Sequence, residues 1–224
     1  MTQNAAMLWT GGKDSALALY EAIQDGCCIR CLVTFAPPEP KFLAHPLAFI
    51  KLQAQALVLP HYVLSIHDPF AKSYETALGA LRDKMGVNTV ITGDIAEVGG
   101  SPNWIRERSR PMGMKVHTPL WGRDRLTLLR QLLDNGFQVL FSCVKTGWLG
   151  ENWIGRELND SAIADLRKVR EQTGLDLCGE EGEYHTLVTD GPHFQRRIVI
   201  RSASRRAMDS LAHLEIHELE LVEK

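Results

Sequence analysis

The sequence contains no uninterrupted apolar run of the roughly 18 residues that a membrane-spanning helix needs. Neither sign of charge predominates, since the chain has 25 Lys and Arg residues and 27 Asp and Glu residues, for a net charge of -2. This balance gives no sign of a strongly nucleic-acid-binding protein, although local basic patches remain open. The start of the chain has no basic segment followed by an apolar one, so we expect no secretory signal.

Cysteine is scarce, and its spacing is irregular. The five cysteines are an odd number, which predicts reduced thiols in a cytoplasmic protein. Cys28 and Cys31 have the C-x-x-C spacing of some metal and redox sites, but they fall in a predicted strand, where positions three apart face opposite sides. We therefore expect buried thiols here rather than a zinc site.

A short glycine-containing segment near the start of the chain joins an apolar run to a run of helix formers. This order predicts a strand, a tight loop and a helix. Two glycines let the backbone approach a ligand closely, and the helix that follows points free N–H groups at the loop. A lysine and two hydroxyl groups add further donors, so the segment predicts a phosphate site. We call it the phosphate loop; it comprises Thr10, Gly11, Gly12, Lys13, Asp14 and Ser15.

The phosphate loop is not a Walker A motif. That motif needs a further glycine where this chain has Met7, and Ser or Thr where it has Asp14. The loop instead resembles the PP-loop of the N-type ATP pyrophosphatases, Ser-Gly-Gly-x-Asp-Ser, with Thr10 in the first place. In that superfamily the loop holds the pyrophosphate of ATP while the α-phosphate is attacked.

Strands and helices alternate through the first part of the chain, which predicts an α/β fold with a parallel sheet flanked by helices. A different rhythm follows, and it indicates a smaller α+β domain. We place an ATP-binding domain at 1–136 and a smaller substrate-binding domain at 137–224. The predicted helices are 15–24, 47–59, 70–85, 104–112, 125–135 and 160–173. The predicted strands after the first are 28–35, 62–66, 87–92, 116–121, 137–144, 184–189, 197–202 and 214–222.

Two strand ends of the predicted parallel sheet carry candidate nucleotide contacts. Ligands of open α/β sheets bind at the carboxyl ends of the strands. Thr34 and Phe35 end the second strand, where an adenine can pack, and Gly93 and Asp94 follow the fourth. We expect all four residues to border the nucleotide.

A second unusual segment lies near the other end of the chain. Glycines alternate with three carboxylates before a predicted strand, and an Asp-Gly-Pro turn follows that strand. We call residues 179–190 the acidic segment. Such a loop can hold Mg²⁺, orient an amine or bind hydroxyl groups of a substrate. On composition alone, a solvated acidic turn is the simpler interpretation.

Five motifs in order extend the resemblance over most of the chain. They are the phosphate loop, Thr92-Gly93-Asp94, Pro119-Leu120-Trp121 with Trp153-Ile154-Gly155-Arg156, and the run from Gly179 to Pro192. Together they resemble the diphthine–ammonia ligase family of ATP pyrophosphatases, which serves diphthamide biosynthesis.

That resemblance implies a HUP-type, Rossmann-like domain joined to a small C-terminal domain. It also implies an AMP-forming ligase that uses ATP to activate the carboxylate of diphthine on elongation factor 2, releases AMP and pyrophosphate, and installs ammonia. Members also occur in organisms without diphthamide, so the acceptor stays open.

The resemblance also implies roles for individual residues. Gly11, Gly12 and the Ser15 amide would cradle phosphate, Lys13 would meet the developing negative charge, and Asp14 would hold Mg²⁺. Lys13, Asp14 and Ser15 are thus the expected catalytic residues. The expected acceptor side consists of Gly179, Glu180, Glu183, Tyr184, Thr186 and Asp190.

Two other functions remain open at this stage. In a tRNA-thiolating enzyme, Cys143 and Cys178 would form a sulfur relay and the basic stretch 195–206 would hold RNA phosphates. In a nucleotide sensor, ATP would bind without turnover. We expect no membrane partner and disfavour nucleic acid as a partner, and a homodimer remains open.

Overall fold

The computed structural model describes residues 3–97 and 103–224. Its helices are α1 Lys13–Gln24, α2 Leu47–Ala56, α3 Phe70–Met85, α4 Trp104–Ser109, α5 Arg125–Asp134 and α6 Asp160–Thr173. Its strands are β1 Asn4–Leu8, β2 Cys28–Ala36, β3 His61–Ser65, β4 Thr89–Ile91, β5 Lys115–His117, β6 Gln138–Lys145, β7 Tyr184–Asp190, β8 Arg196–Met208 and β9 Leu211–Glu223.

The chain forms two compact units. The first contains residues 1–10, 14–41 and 59–122, and the second contains 11–13, 42–58 and 123–224. The middle of the phosphate loop and all of α2 therefore group with the later part of the chain. The contacts also place α5 in the second unit, whereas the sequence-based division puts it in the first. The ion pair between Arg125 of α5 and Asp176, 3.1 Å from N to O, is one contact that holds α5 there.

The first unit contains a five-stranded parallel sheet in the order β3-β2-β1-β4-β5. Its central strands are short apolar runs, as expected for a sheet covered on both faces. Leu78 and Leu81 of α3 pack on Ala6, Val33 and Val90 of the sheet in one buried cluster. The predicted α/β class with a helix-flanked parallel sheet is confirmed.

The same core contains one cysteine of the C-x-x-C pair. Cys31 is fully buried in that cluster, and burial raises the pKa of its thiol to about 11. Cys27 is buried too and Cys28 is half-buried, and all three are free thiols. The prediction of structural thiols rather than a metal pair agrees with this environment.

The second unit contains a four-stranded antiparallel sheet in the order β7-β6-β9-β8. In the sequence, the alternation of strands and helices continues as far as β6. In the structure, however, β6 pairs antiparallel with both of its neighbours. An irregularity between Phe141 and Cys143 shifts the register of β6 against β7. β8 and β9 are each 13 residues long, and the predicted strands cover only part of them.

No helix among residues 3–97 and 103–224 has the length and apolar character that crossing a membrane requires.

Candidate active site

The phosphate loop is fixed through the carbonyl of Gly11. This oxygen accepts a hydrogen bond from Nε2 of Gln53 at 2.9 Å and another from the amide of Val188 at 3.1 Å. Gly11 has φ +82°, and a Cβ there would lie 2.4 Å from Oε1 of Gln53. Only glycine combines this backbone conformation with this close packing, so the first loop glycine is required by its surroundings.

Lys13, the first residue of α1, is 2% exposed. Its amide donates to Oγ1 of Thr186 at 3.0 Å, and its Nζ donates to the carbonyl of Cys178 at 2.5 Å. Nζ also lies 5.3 Å from the centre of the Tyr184 ring. Lys13 thus contacts Thr186 in the acidic segment and Cys178, the residue just before that segment. The carbonyl of Cys178 and the ring of Tyr184 stabilise its buried ammonium group.

Inside the acidic segment, most polar groups already have structural partners. Oε1 of Glu183 accepts from the amide of Asp176 at 2.9 Å, and the Tyr184 hydroxyl donates to the carbonyl of Leu177 at 2.6 Å. Asp190 accepts from the amide of Gly191 at 2.7 Å and pairs with Lys224 at 2.6 Å. The segment is therefore an ordered turn rather than a freely solvated one.

Gly179 and Glu180 form the tight end of this turn. Gly179 has φ +75°, and a Cβ there would lie 2.8 Å from the carbonyl oxygen of Tyr184. Glu180 follows on the half-buried turn, where its amide approaches Oδ1 of Asp176 at 3.5 Å.

Two histidines lie against the same part of the second unit. The rings of His45 and His185 meet edge to face, with their centres 5.3 Å apart. Burial, and then the neighbouring charge of His185, lowers the pKa of His45 to about 3, although a hydrogen bond to the Thr186 backbone opposes this. Burial and the charges of Lys13 and Lys145 also lower the pKa of His185. Both rings are therefore neutral at physiological pH.

In the first unit, the remaining loop residues lie close to the predicted strand end. Oγ1 of Thr10 donates to Oγ of Ser15 at 3.2 Å. Gly93 packs so closely that a Cβ on it would lie 2.7 Å from the backbone carbon of Asp14 and 2.8 Å from the amide of Ser15. The structure therefore brings Gly93 to the first turn of α1.

Asp94 is held by two side chains. Its Oδ2 accepts from Oγ1 of Thr92 at 2.8 Å and from Nδ2 of Asn103 at 2.5 Å. Asn103 also caps α4, so one amide side chain orients both the aspartate and the helix.

Thr34 and Phe35 end β2, as predicted. Oγ1 of Thr34 donates to the carbonyl of Trp9, immediately before the phosphate loop, at 2.7 Å. The Phe35 ring meets Tyr74 edge to face at 4.7 Å between centres. An aromatic surface therefore lies at this strand end, and its use by adenine stays a prediction.

Asp14 is the candidate magnesium ligand, and its surroundings fit that role. It is half-exposed in the first turn of α1, beside the loop that would hold phosphate. Among the described residues, no three His, Cys, Asp or Glu side chains are grouped as a metal site. Mg²⁺ in nucleotide sites commonly takes only one or two carboxylates together with the substrate phosphates, so one aspartate suffices.

The geometry adds residues that sequence reasoning passed over. Gln53 is fully buried and donates both to Gly11 and, at 2.8 Å, to the carbonyl of Val188. Its spacing from Phe49 and Ile50 on the buried face of α2 marks a polar residue among core positions, which is a usable indication. His45 had no comparable indication, because its neighbour His185 is far away in the sequence.

Comparison with known proteins agrees with this arrangement. A family model described as the diphthamide synthase N-terminal domain matches residues 3–116, and one described as the diphthamide synthase C-terminal domain matches residues 124–222. These matches leave residues 117–123 between the two domains.

Relatives that carry the name diphthine–ammonia ligase align along the chain. The human protein is 26% identical over 98% of this chain and 92% of its own. The zebrafish protein is 24% identical over 86% of this chain and 84% of its own. The fission yeast protein is 26% identical over 86% of this chain but only 35% of its own length.

A solved structure described as a predicted subunit of tRNA methyltransferase from Methanocaldococcus jannaschii is also similar. It covers 85% of this chain and 100% of its own, at 16% identity and a TM-score of 0.45.

The N-terminal domain model alone matches more than half of the chain, with the phosphate loop and Gly93 inside it. The chain therefore belongs to the diphthamide synthase family.

Proposed function

We propose that the protein is an ATP-dependent carbon–nitrogen ligase of the diphthine–ammonia ligase type. One observation carries this proposal: the amide and Nζ of Lys13 bond directly to Thr186 and Cys178. The lysine expected at the phosphates of ATP is thereby fixed against the segment expected to meet the acceptor. Such direct coupling suits a reaction in which the two substrates must meet at one phosphorus atom.

In the first step, a carboxylate oxygen of the acceptor attacks the α-phosphorus of ATP. The new O–P bond gives an acyl-adenylate, and the bond to pyrophosphate breaks. Amides of Gly11, Gly12 and Ser15 stabilise the added negative charge on the phosphates, together with the ammonium of Lys13. Asp14 would hold Mg²⁺, which neutralises phosphate charge when bound.

In the second step, ammonia attacks the acyl carbon and the bond to AMP breaks. The nitrogen loses a proton as the amide forms. We assign the acceptor side to Gly179, Glu180, Glu183, Tyr184 and Thr186. Asp190 stands apart, since its carboxylate is bound by Gly191 and Lys224. Diphthine on elongation factor 2 is the expected acceptor in a host that makes diphthamide.

The thiolation alternative is not favoured. Cys143 and Cys178 are both buried, and burial raises the pKa of the Cys143 thiol. A sulfur relay needs accessible thiolates, so this environment opposes it.

The test incubates the protein with ATP, Mg²⁺, ammonium and diphthine-modified elongation factor 2, and follows AMP, ADP and pyrophosphate. We expect AMP and pyrophosphate in equal amounts, dependent on both acceptor and ammonium. Lys13→Ala should abolish AMP formation, and Lys115→Ala, at an exposed position of β5, is the control. Release of ADP would rule out the proposed mechanism. ATP binding without AMP formation with any acceptor would instead support a sensor.

A further inference from the structure

The second unit has a cavity of about 390 Å³, and its lining shares Glu183 with the acceptor side proposed above. Three guanidinium groups line it, those of Arg123, Arg125 and Arg170. The start of α5, the end of α6 and the turn up to Glu183 form its walls. A cavity of this size can hold a small organic molecule.

Glu183 supplies the unusual feature of this cavity. The residue is 2% exposed and lines the cavity wall. Its Oε1 accepts the amide of Asp176, but its Oε2 is buried and accepts no hydrogen bond from any residue that the structure describes. Burying a carboxylate oxygen without a hydrogen-bond donor costs free energy. An N–H group of a ligand would supply the missing donor.

Two of the three other carboxylates in the lining, those of Asp176 and Asp124, have structural partners, and Glu181 is the third. Oδ2 of Asp176 pairs with Nε of Arg125, and its Oδ1 accepts the amide of Cys178 at 2.7 Å. Asp124 caps α5 through the amide of Thr127 at 2.8 Å. The cavity therefore offers guanidinium donors along its wall, although Arg123 also donates to Oε1 of Gln131, and Glu183 is the buried acceptor in it.

We propose that this cavity binds a small zwitterion that carries the ammonium and carboxylate groups of an α-amino acid. The ammonium donates to Oε2 of Glu183, and the carboxylate is bound by Arg170 and Arg123, because guanidinium groups match carboxylates geometrically. The lining contains both guanidinium groups and carboxylates, so a ligand with a single charge would meet groups of its own sign. A zwitterion satisfies both ends of the cavity.

The binding test uses the common L-amino acids as probes in ligand-observed saturation-transfer NMR, followed by calorimetry of the strongest. Acetate and methylammonium serve as probes for each half of the ligand. We expect at least one amino acid to bind with a Kd of about 1 mM or tighter, and both half-probes to bind at least about tenfold more weakly. If every amino acid binds more weakly than about 10 mM, or if either half-probe binds as tightly, the zwitterion site is refuted.

Two variants locate the site. Glu183→Gln keeps an oxygen for the Asp176 amide but loses the charge, and Arg170→Gln changes an exposed position of α6. Each should weaken amino-acid binding about tenfold or more. The matched controls are Glu218→Gln and Arg197→Gln at exposed positions of β9 and β8, and they should bind like the unchanged protein. Unchanged binding in folded Arg170→Gln would overturn the assignment even if Glu183→Gln fails to fold.

Amino-acid binding is measured without the proposed reaction, although Glu183 belongs to both sites. ATP binding and AMP formation are measured in parallel on the same samples and on Lys13→Ala. Lys13→Ala should lose AMP formation and keep amino-acid binding. An amino acid bound to a protein that forms no AMP would contradict the ligase and leave the cavity assignment in place.

Discussion

In the phosphate loop, the backbone carries the expected chemistry, and surrounding side chains hold it. Gln53 and Thr186 bond to the backbone of Gly11 and Lys13. In the acidic segment the relation is reversed, since the side chains of Glu183 and Tyr184 bond to backbone groups of Asp176 and Leu177, just before the segment. The loop is thus held by side chains distant in the sequence, whereas the acidic segment is held by residues close to it in the sequence. Substitutions of residues that hold the loop, Thr186 among them, should therefore affect activity more than substitutions elsewhere in the segment.

Among the substitutions that test this contrast, the largest effect is expected for Gly93→Ala. The new Cβ would lie 2.7 Å from the backbone of Asp14, which cannot move without shifting the start of α1. Displacement of catalytic groups by about 1 Å can cost about 100-fold in rate, so AMP formation should fall by at least that factor. Steady-state kinetics with ATP measure it.

Gly79→Ala is the matched control for that change. Its Cβ would lie 3.6 Å from Sδ of Met112, an ordinary contact, in the middle of α3. It should leave kcat unchanged and stabilise the fold by about 0.5–1 kcal/mol in denaturant unfolding. A fully active Gly93→Ala protein would show that the loop tolerates movement.

A smaller effect is expected for Thr186→Val, which keeps the side-chain shape and removes the acceptor of the Lys13 amide. A buried donor left without its partner costs about 1–3 kcal/mol. We expect KM for ATP to rise about tenfold, with kcat less affected.

Thr189→Val tests the same change elsewhere on β7. Thr189 donates to the carbonyl of Gln138 at 3.3 Å and has no bond to the phosphate loop. Its KM for ATP should equal that of the unchanged protein. If both variants raise KM equally, the effect comes from β7 as a whole and the loop-specific explanation fails.

His45 makes the free energy of unfolding depend on pH. Its pKa is about 3 in the folded protein but near 6.5 when unfolded, so the unfolded chain binds more protons between these values. Stability is complete above pH 6.5 and decreases as pH falls towards 3. Unfolding free energy should decrease by about 1.5 kcal/mol from pH 6.5 to pH 5 through this group.

His45→Gln should remove that part of the pH dependence, as measured by urea unfolding at several pH values. His67→Gln, at an exposed position, is the control and should keep the slope of the unchanged protein. An identical slope in His45→Gln would mean that other groups cause the acid sensitivity.

The smallest effect is expected for Asp190→Asn. The amide oxygen can still accept from Gly191, and only the half-exposed ion pair with Lys224 is lost. Stability should change by less than about 1 kcal/mol, and AMP formation should stay within about twofold. A large loss of activity measured in the same assay would return Asp190 to the acceptor side.

The ends of helices can be predicted from the sequence where neighbouring residues determine them. α3 and α6 are predicted to the residue, because each has a helical apolar spacing and ends at a glycine with positive φ, Gly86 and Gly174. α2 ends at Ala56 rather than at residue 59, since Val58 already adopts φ +54°.

Pairing partners and outer strands were harder to predict. The antiparallel pairing of β6 depends on β7 and β9, which lie far along the chain. The outer half of β8, residues 203–208, is largely exposed and held by pairs such as Arg206 with Glu215, so no apolar alternation marks it as a strand. The loop sequence similarly indicates phosphate binding, but nothing local indicates Gln53 or His45.

The amide group of Gln53 has a practical consequence for spectroscopy. Its two protons are directed at the carbonyls of Gly11 and Val188, in a site without solvent exposure. In an ¹⁵N-labelled sample this group would give a slowly exchanging pair of side-chain resonances, an intrinsic probe that needs no attached label. Relaxation of that pair during ATP titration would report how rigidly the loop is held at each stage of the catalytic cycle.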